Sequence, residues 1–499
     1  MQRRIMTAAV AAALGGAAAP AFALLPTAFN TTTANQVYIS GATAQENQLL
    51  GFMRRACNTG TLDKFNGPAN QVVYFCTANA TQVPGLAKAN MVVYKSGVGG
   101  SGNGIGPVAN HATLAFMDIA TLSTSLHCTG STAVPAVAPV APDTIGLPAY
   151  TNWACAASPI VNTATELGFS DVEPAQFVAT GIANAADLSK LTINPINALM
   201  FGVPVTKSLR DALQTAQGLT SGSEREDQMP SLSKSQISAI YTGSITTWDL
   251  LGLNNVSDNG IYVARRVNSS GTQTSSRTFF LNDPCALGMS SYVTNPTNTN
   301  SANCAAATGT AQAVFEGSGS GDVVTCLNNH HGAGRWAVGV LSTEFFSGTG
   351  GTTDNYRHIK IDGFAPTIYN VLQGRYPFWM EATMQFRSAT PNALAGDDLV
   401  FANALAARIA EIPTLVGINT GFDHAFCQTA NGGPGPGCAG VLMPGLTGAN
   451  TGFFPPALPF TATDADANPV NTATKSASGA PNNCQPPQPI FPTKAGATG

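Results

Sequence analysis

One stretch of the sequence combines an arginine with a Ser-Gly-Thr turn, and these residue types are suited to binding an oxyanion. In VARRVNSSGTQTSS a strand pattern delivers Arg266, and Ser270, Gly271 and Thr272 begin a helix four residues later. Free N–H groups at a helix N-terminus, hydroxyls and a glycine that allows close approach form an anion site. A guanidinium adds two parallel donors for a tetrahedral oxyanion. An ordinary capped helix after a strand has the same pattern, so the segment by itself leaves both interpretations open.

Strand and helix patterns alternate around this stretch. QVYISGA, residues 36–42, predicts a short buried strand that ends in a glycine turn, and apolar residues at helical spacing follow it. NMVVYKSGVGGSGNG, from residue 90, repeats the strand and the glycine-rich turn. MPSLSKSQISAIYTG predicts a helix that is capped by Ser231 or Ser233 and ends at Gly243. This alternation predicts parallel strands that place ligands at their carboxyl ends.

Composition excludes several classes of function. Charged residues make 10% of the 499 and the net charge is −4, whereas ordinary soluble domains carry about 25% charged residues. Such a surface cannot neutralise phosphates, so we expect no nucleic-acid partner. Neither a nucleophile elbow nor an HExxH helix is present. We therefore predict a protein that is not an enzyme and has no cofactor, and we assign the His330-His331 pair to a surface loop rather than to a metal site.

The first residues and the cysteines predict an exported protein. Residues 1–23 have the form of a secretory signal peptide, and no later apolar stretch is long enough to span a membrane. We expect a periplasmic or extracellular protein that is not embedded in a membrane. The ten cysteines contain no CxxC pair, and local disulfides are expected in that compartment. The expected pairs are Cys57 with Cys76, Cys128 with Cys155, and Cys427 with Cys438, while the pairing of Cys285, Cys304, Cys326 and Cys484 stays open.

Several segments, in a fixed order, carry a resemblance to a known family. They are ISGATA at Ser40, GFSDVEP, LSKSQISAIYTGSITTWDLLG, ARRVNSSGTQTSSRTFFL and IDGFAPTIYNVLQGRYPFWM. Together they span residues 37–384, and they resemble the phosphate-binding proteins of bacterial phosphate ABC importers, which are PstS-like, type 2 periplasmic binding proteins. The helix followed by RRVNSSGT is the specific part of the match.

The resemblance implies a role for each matching residue. Thr43 becomes a backbone and hydroxyl donor, Asp171 the carboxylate that accepts a proton from the bound anion, and Arg266 the guanidinium. The helix N-terminal donors are Ser270, Gly271 and Thr272. The second ligand turn falls on VGGSGNG, where Gly100 or Ser101 takes the serine position, and we favour Ser101 because it has the hydroxyl. Asn268 stands where the family has an aspartate that pairs with the arginine.

The resemblance also implies the fold and the function. We expect a two-lobed α/β type 2 periplasmic binding protein, with parallel-rich sheets flanked by helices and a ligand cleft between the lobes. The expected divisions are a signal peptide at 1–23, lobe 1 at 24–200 with an inserted loop at about 119–164, lobe 2 at 201–342, the rest of lobe 1 at 343–450, and a tail rich in Pro, Ala and Asn at 451–499. The protein would bind phosphate or a similar oxyanion and deliver it to an ABC permease. The alternative is a secreted or surface adhesion or matrix protein that reuses the fold.

Overall fold

The structure is a computed structural model that describes residues 33–139, 144–255, 258–286, 299–306, 312–345, 354–367, 370–371, 374–409, 411, 414, 442–444, 473–475 and 482–489. The strands are β1 Ala34–Gly41, β2 Asp63–Asn66, β3 Gln71–Thr77, β4 Asn90–Ser96, β5 Thr113–Met117, β6 Cys128–Val134, β7 Tyr150–Cys155, β8 Ile160–Ala164, β9 Leu167–Ser170, β10 Leu191–Thr206, β11 Ser231–Leu232, β12 Tyr262–Arg266, β13 Ala313–Gly317, β14 Ala337–Gly339, β15 Leu341–Ser342, β16 Tyr356–Ile361, β17 Trp379–Arg387, β18 Leu442–Pro444, β19 Ala473–Thr474 and β20 Gln488–Pro489.

The helices are α1 Glu46–Ala56, α2 Gly100–Asn103, α3 Gly106–Ala109, α4 Thr124–His127, α5 Ala175–Ala179, α6 Ala185–Leu188, α7 Lys207–Ala216, α8 Lys234–Tyr241, α9 Gly271–Ser276, α10 Ser320–Gly332 and α11 Gly396–Arg408. Short 3-10 helices lie at Thr43–Gln45, Glu226–Gln228, Trp248–Leu251 and Ser301–Ala306, and a π-helical turn follows α9 at Arg277–Leu281.

Hydrogen bonds join the main strands in the order β13-β12-β14-β10-β17-β9-β1-β4-β3-β2-β7-β6. We call β9, β1, β4, β3, β2, β7 and β6 the first half-sheet, and β13, β12 and β14 the second half-sheet. The 16-residue strand β10 connects them, because residues 191–200 pair with β17 while residues 201–206 pair with β14, β15 and β16. The pairs β1–β4, β1–β9, β12–β13 and β12–β14 are parallel.

The sequence explains why these strands lie inside the protein. QVVYFCT in β3 and NMVVYKS in β4 are almost continuous apolar runs, which are typical of strands covered on both faces. One core cluster packs α1 and α11 on the first half-sheet, and a second covers its opposite face. Another cluster packs α10 on the second half-sheet, while the largest cluster surrounds β10, α7 and α8. The carboxyl ends of the parallel strands therefore meet where the two half-sheets join.

The structure settles several predictions. Ser233, not Ser231, caps α8, through a capping box with Gln236. Disulfides join Cys57 with Cys76 and Cys128 with Cys155, as predicted. The pairs left open are Cys285–Cys484 and Cys304–Cys326. Cys427, Cys438, the signal peptide and most of the tail lie outside the described residues.

The segment 119–164, expected as an inserted loop, contains the three strands β6, β7 and β8 instead, while its status as an insertion stays a prediction. β6 and β7 pair with each other, and β7 extends the first half-sheet by pairing in parallel with β2. Burial of Cys155 and the stacking of Trp153 on Phe65 attach the extension to the core. The divisions between the lobes stay predictions. Within the described residues, no helix is both long and apolar enough to cross a membrane.

Candidate functional site

Four of the predicted site residues come together where the half-sheets meet. Ser101 lies in α2 after β4, Asp171 follows β9, Arg266 ends β12, and Gly271 begins α9. All four are buried, Ser101 and Arg266 almost completely. Each lies at the carboxyl end of a parallel strand or just after it, as expected for a ligand site in an α/β fold. We call these four residues the Asp171 site.

Ser101 and Asp171 bond to each other within the first half-sheet, and the turn at Gly271 packs closely on both from the second half-sheet. The backbone N–H of Asp171 donates to the Ser101 hydroxyl at 3.0 Å. A Cβ atom on Gly271 would lie 2.3 Å from the Ser101 Oγ and 2.7 Å from an Asp171 carboxylate oxygen. The N–H of Gly102 donates to the Ser269 carbonyl at 2.8 Å, so the α2 turn rests directly on the turn before α9. Only glycine at position 271 allows this approach.

Arg266 is held in place by two groups after β13. One terminal nitrogen donates to the Ser320 hydroxyl and the other to the Ser318 carbonyl, both at 2.7 Å. These contacts fix the orientation of the guanidinium without a carboxylate at position 268. Its neighbour Arg265 forms an ion pair with Glu316 at 3.0 Å instead. The two adjacent arginines therefore have separate partners, as the alternation of side chains along a strand requires.

Buried polar atoms without a hydrogen-bond partner among the described residues converge on the same place. They are Oδ1 of Asp171, Nε of Arg266 and both amide atoms of Gln45. A buried polar group that lacks a hydrogen-bond partner costs about 1 to 3 kcal/mol of stability. A ligand that forms hydrogen bonds with these atoms would remove that cost. The site thus offers one acceptor, one charged donor and one amide.

Burial and nearby charges set the protonation of the site. Burial raises the pKa of Asp171 to about 6. Four neighbours oppose this shift and lower the pKa: the charges of Arg266 and Lys95, the Gln45 amide and the Ser101 hydroxyl. Burial lowers the pKa of Arg266 to about 10, while the charges of Asp171 and Asp322 oppose that shift. At neutral pH the guanidinium stays charged and Asp171 is mostly ionised.

Lys95 is a functional candidate that the sequence analysis missed. It is buried near the end of β4, and its ammonium donates to the carbonyls of Gly41 at 2.9 Å and Ser96 at 3.2 Å. Burial lowers its pKa to about 8, and the charges of Glu46 and Asp171 oppose that shift. A lysine at the end of an otherwise apolar strand, just before a glycine turn, was the signal that could have identified it.

Two further carboxyl groups were also missed, and both lie near Asp171. Glu344 follows β15 and accepts hydrogen bonds from Ser342 at 3.2 Å and Asn47 at 3.4 Å. Its pKa is raised well above the usual value by burial and by the charges of Asp171 and Glu46. Burial also raises the pKa of Glu46. Both shifts favour the neutral form of these carboxyl groups.

The remaining predicted residues lie beside this site. Ser270 is buried, and a Cβ on Gly100 would lie 3.1 Å from its Cα. Thr272 is buried within α9. Thr43 lies in the 3-10 helix after β1, with its methyl group against Gly97 at the end of β4. No contact of the Thr43 hydroxyl with the Asp171 site is among those of the described residues.

The assignment of His330 and His331 to a surface loop is wrong. Both lie in α10, where Val323, Leu327 and His330 share one buried face at helical spacing. A ring nitrogen of His330 and the sulfurs of Cys304 and Cys326 lie within 4.8 Å of one another. The two sulfurs form a disulfide, so neither is a thiolate that could bind a metal ion.

Comparisons with known proteins agree with the recognition made from the motifs. Residues 197–405 match the family model described as the PBP superfamily domain. Among solved structures, the chain is similar to an ABC-type phosphate transport receptor from Vibrio cholerae, with 13% identity, 75% of this chain and 96% of that chain covered, and a TM-score of 0.37. It is also similar to a high affinity periplasmic phosphate-binding protein, PfluDING, bound with phosphate, with 16% identity, coverages of 77% and 89%, and a TM-score of 0.38.

A structure described as a DING protein matches with 14% identity, the same coverages of 77% and 89%, and a TM-score of 0.38. No curated protein matches the chain. The family-model match thus covers residues 197–405, and the fold is the mixed α/β architecture predicted from the sequence. Overlaps of this extent with solved structures do not assign a ligand.

Proposed function

We propose that this protein binds phosphate, or a similar oxyanion that carries a proton, at the Asp171 site. The pairing of Asp171 with Arg266 carries the proposal. An ionised carboxylate only accepts hydrogen bonds, whereas a guanidinium only donates them. A ligand that satisfies both must offer an acceptor to the guanidinium and a proton to the carboxylate, and hydrogen phosphate offers both together with negative charge.

The surroundings favour an anion over a cation or a sugar. Arg266 and Lys95 bring two cationic groups, and the N-terminus of α9 begins at Gly271, beside Asp171. Burial strengthens charge interactions, because the effective dielectric constant is lower than in water. Phosphate buried in this place would receive donors from both half-sheets, which would hold them together.

Asp171 should decide which oxyanion binds. Sulfate is fully ionised and has no proton to donate, so it would face the carboxylate with like charge, at a cost of several kcal/mol. An asparagine amide at position 171 can donate to a sulfate oxygen. We therefore expect wild type to prefer phosphate to sulfate by orders of magnitude, and Asp171→Asn to narrow this gap mainly by admitting sulfate.

The test is calorimetric titration of each protein with phosphate and with sulfate, at fixed ionic strength near pH 7. Asp249→Asn is the matched control, because Asp249 is exposed and its carboxylate contacts Asn259 instead of the site. The control should keep the wild-type ratio of affinities. Absence of binding of both anions to wild type, or an unchanged ratio in Asp171→Asn, would reject the proposal and favour the surface-protein alternative.

Delivery and compartment belong to the same proposal. We propose that the protein is secreted through its signal peptide into the periplasm or the extracellular space. The signal pattern and the disulfides support this. The loaded form would then present bound phosphate to an ABC permease. Pull-down of the permease by the phosphate-loaded protein, but not by Arg266→Ala, is the expected result.

A further inference from the structure

A second cavity, of about 370 Å³, lies away from the Asp171 site. Its walls come from the first turn of α8, the π-helical turn after α9, the start of β17, Lys475, and residues 483–487, which we call the C-terminal segment. The residues that matter for its chemistry are Lys234, Phe279, Pro377, Met380, Lys475 and Pro486. A volume of this size falls in the range of small-molecule sites, about 300 to 1,000 Å³.

The C-terminal segment that closes the cavity is firmly attached. The Cys285–Cys484 disulfide ties it to the chain after the π-helical turn, across 199 residues of sequence. Asn483 next to it accepts a hydrogen bond from the backbone N–H of Glu381 at 2.9 Å and donates to the Glu381 carbonyl at 3.1 Å. Its own N–H donates to the carboxylate of Glu173. The cavity wall is therefore part of the folded protein and not a loose tail.

Two lysines line this cavity. Lys234 is the first residue of α8, and its Nζ lies 4.4 Å from the centre of the Phe279 ring. Lys475 is buried, and its Nζ donates to the Trp379 carbonyl at 2.5 Å and lies 4.8 Å from the Trp379 ring centre. Burial lowers the pKa of Lys475 to about 8, the charges of Glu381 and Glu173 oppose that shift, and the charge of Lys234 adds to it.

Two acidic groups bond to the backbone of these lysines and are not part of the cavity lining. Among the described residues that line the cavity, none carries a carboxylate. Asp362 accepts from the backbone N–H of Lys234 at 3.0 Å, and Glu381 accepts from the backbone N–H of Lys475 at 3.0 Å. Burial raises the pKa of Glu173 to about 8, so this acid is mostly protonated at neutral pH. The cavity itself thus presents positive charge.

The rest of the wall is apolar. Phe279, Pro377, Met380 and Pro486 supply aromatic and aliphatic surface, and Phe279 stacks on Phe378 with ring centres 4.7 Å apart. An inorganic oxyanion would pair with the lysines but would leave this apolar surface in contact with water. A ligand with an apolar body would bury that body, at about 25 cal/mol for each Å² removed from water.

We infer that this cavity is a second binding site, for a small organic carboxylate whose apolar body packs on Phe279 and the prolines while its carboxylate faces Lys234 and Lys475. The inference stands independently of the proposed phosphate site. An amphipathic anion satisfies both the paired cations and the apolar wall, whereas a neutral or cationic molecule of the same shape satisfies only the second.

Three probes of nearly equal shape test the charge requirement: benzoate, benzamide and benzamidinium. Each is titrated into the oxidised protein, with binding followed by calorimetry and ligand-observed NMR. We expect benzoate to bind at least tenfold more tightly than benzamide, and benzamidinium to bind more weakly still. Lys234→Gln should weaken benzoate at least fivefold and leave benzamide unchanged. Lys88→Gln, which changes an exposed lysine far from the cavity, should leave all three unchanged.

The location of the site is tested by two further measurements. The double variant Cys285→Ser and Cys484→Ser should lose benzoate binding, because it removes the disulfide that attaches the C-terminal segment to the rest of the cavity wall. Arg266→Ala should keep benzoate binding, and saturating phosphate should not displace benzoate. Equal binding of benzoate and benzamide, an unchanged affinity in Lys234→Gln, or displacement by phosphate would overturn the inference. Failure of phosphate to bind while benzoate binds would reject the proposed function alone.

Discussion

Replacing Gly271 by alanine adds one methyl group at the closest contact between the half-sheets. That Cβ would lie 2.3 Å from the Ser101 Oγ and 2.6 Å from the Asp171 Cβ, well inside normal contact distance. Both neighbours are buried, so neither side chain can swing freely into solvent. Relief requires either that Ser101 gives up the hydrogen bond it accepts from the Asp171 N–H, or that α9 and α2 separate.

The cost follows from these two routes. Overpacking a buried position costs about 1 to 3 kcal/mol, and loss of one hydrogen bond adds about 1 kcal/mol. A total of about 2 to 4 kcal/mol weakens binding by about 30-fold to several hundredfold. Because separation of the two turns relieves the clash, the affinity for phosphate should fall much more than the free energy of unfolding of the ligand-free protein.

Calorimetric titration with phosphate and urea unfolding of the free protein measure the two quantities. Gly321→Ala is the matched control, since a Cβ there would meet no atom within 4 Å although the residue lies next to Ser320, which holds Arg266. The control should bind phosphate as wild type does. Binding by Gly271→Ala within threefold of wild type, or an equal loss in the control, would refute the argument about close approach.

Three other predictions concern charge and covalent linkage. Arg266→Ala should weaken phosphate binding at least tenfold, because it removes a buried charged donor. Arg265→Ala should keep an affinity for phosphate within threefold of wild type, because Arg265 pairs with Glu316. Equal losses of affinity in parallel titrations would contradict this placement. The folded-state pKa of Asp171, about 6, lies above its ordinary value of 3.8, so its ionisation costs stability as pH rises through this range. Asp171→Asn should therefore gain stability over wild type between pH 4 and pH 7, by at most about 3 kcal/mol in urea unfolding, and a pH-independent difference would exclude the burial argument. Replacing Cys304 and Cys326 by alanine removes a disulfide that closes a loop with a sequence separation of 22, and it should lower the free energy of unfolding by about 3 kcal/mol in the same assay. An unchanged urea midpoint would contradict this prediction.

Several features followed from the sequence because they are local. The sequence predicted a strand at residues 36–42 that ends in glycine and is followed by a helix, and the structure has β1 at these residues and α1 after them. The pattern from Arg266 to Thr272 likewise lies within one strand, one turn and one helix. The Cys57–Cys76 pair joins residues only 19 apart, so chain proximity favoured it.

The tertiary structure decided what depends on distant segments. Residues 119–164 were expected to form an inserted loop, but the pairing of β7 with β2 makes β7 part of the sheet. The Cys285–Cys484 bridge spans 199 residues, and no local pattern specifies such a partner. Lys95 and Gln45 reach the Asp171 site only because β1, β4 and β9 end at the same edge. Residue types and turns are properties of a short segment, whereas burial, and the pKa values that it shifts, arise only when segments far apart in the chain exclude water from one another.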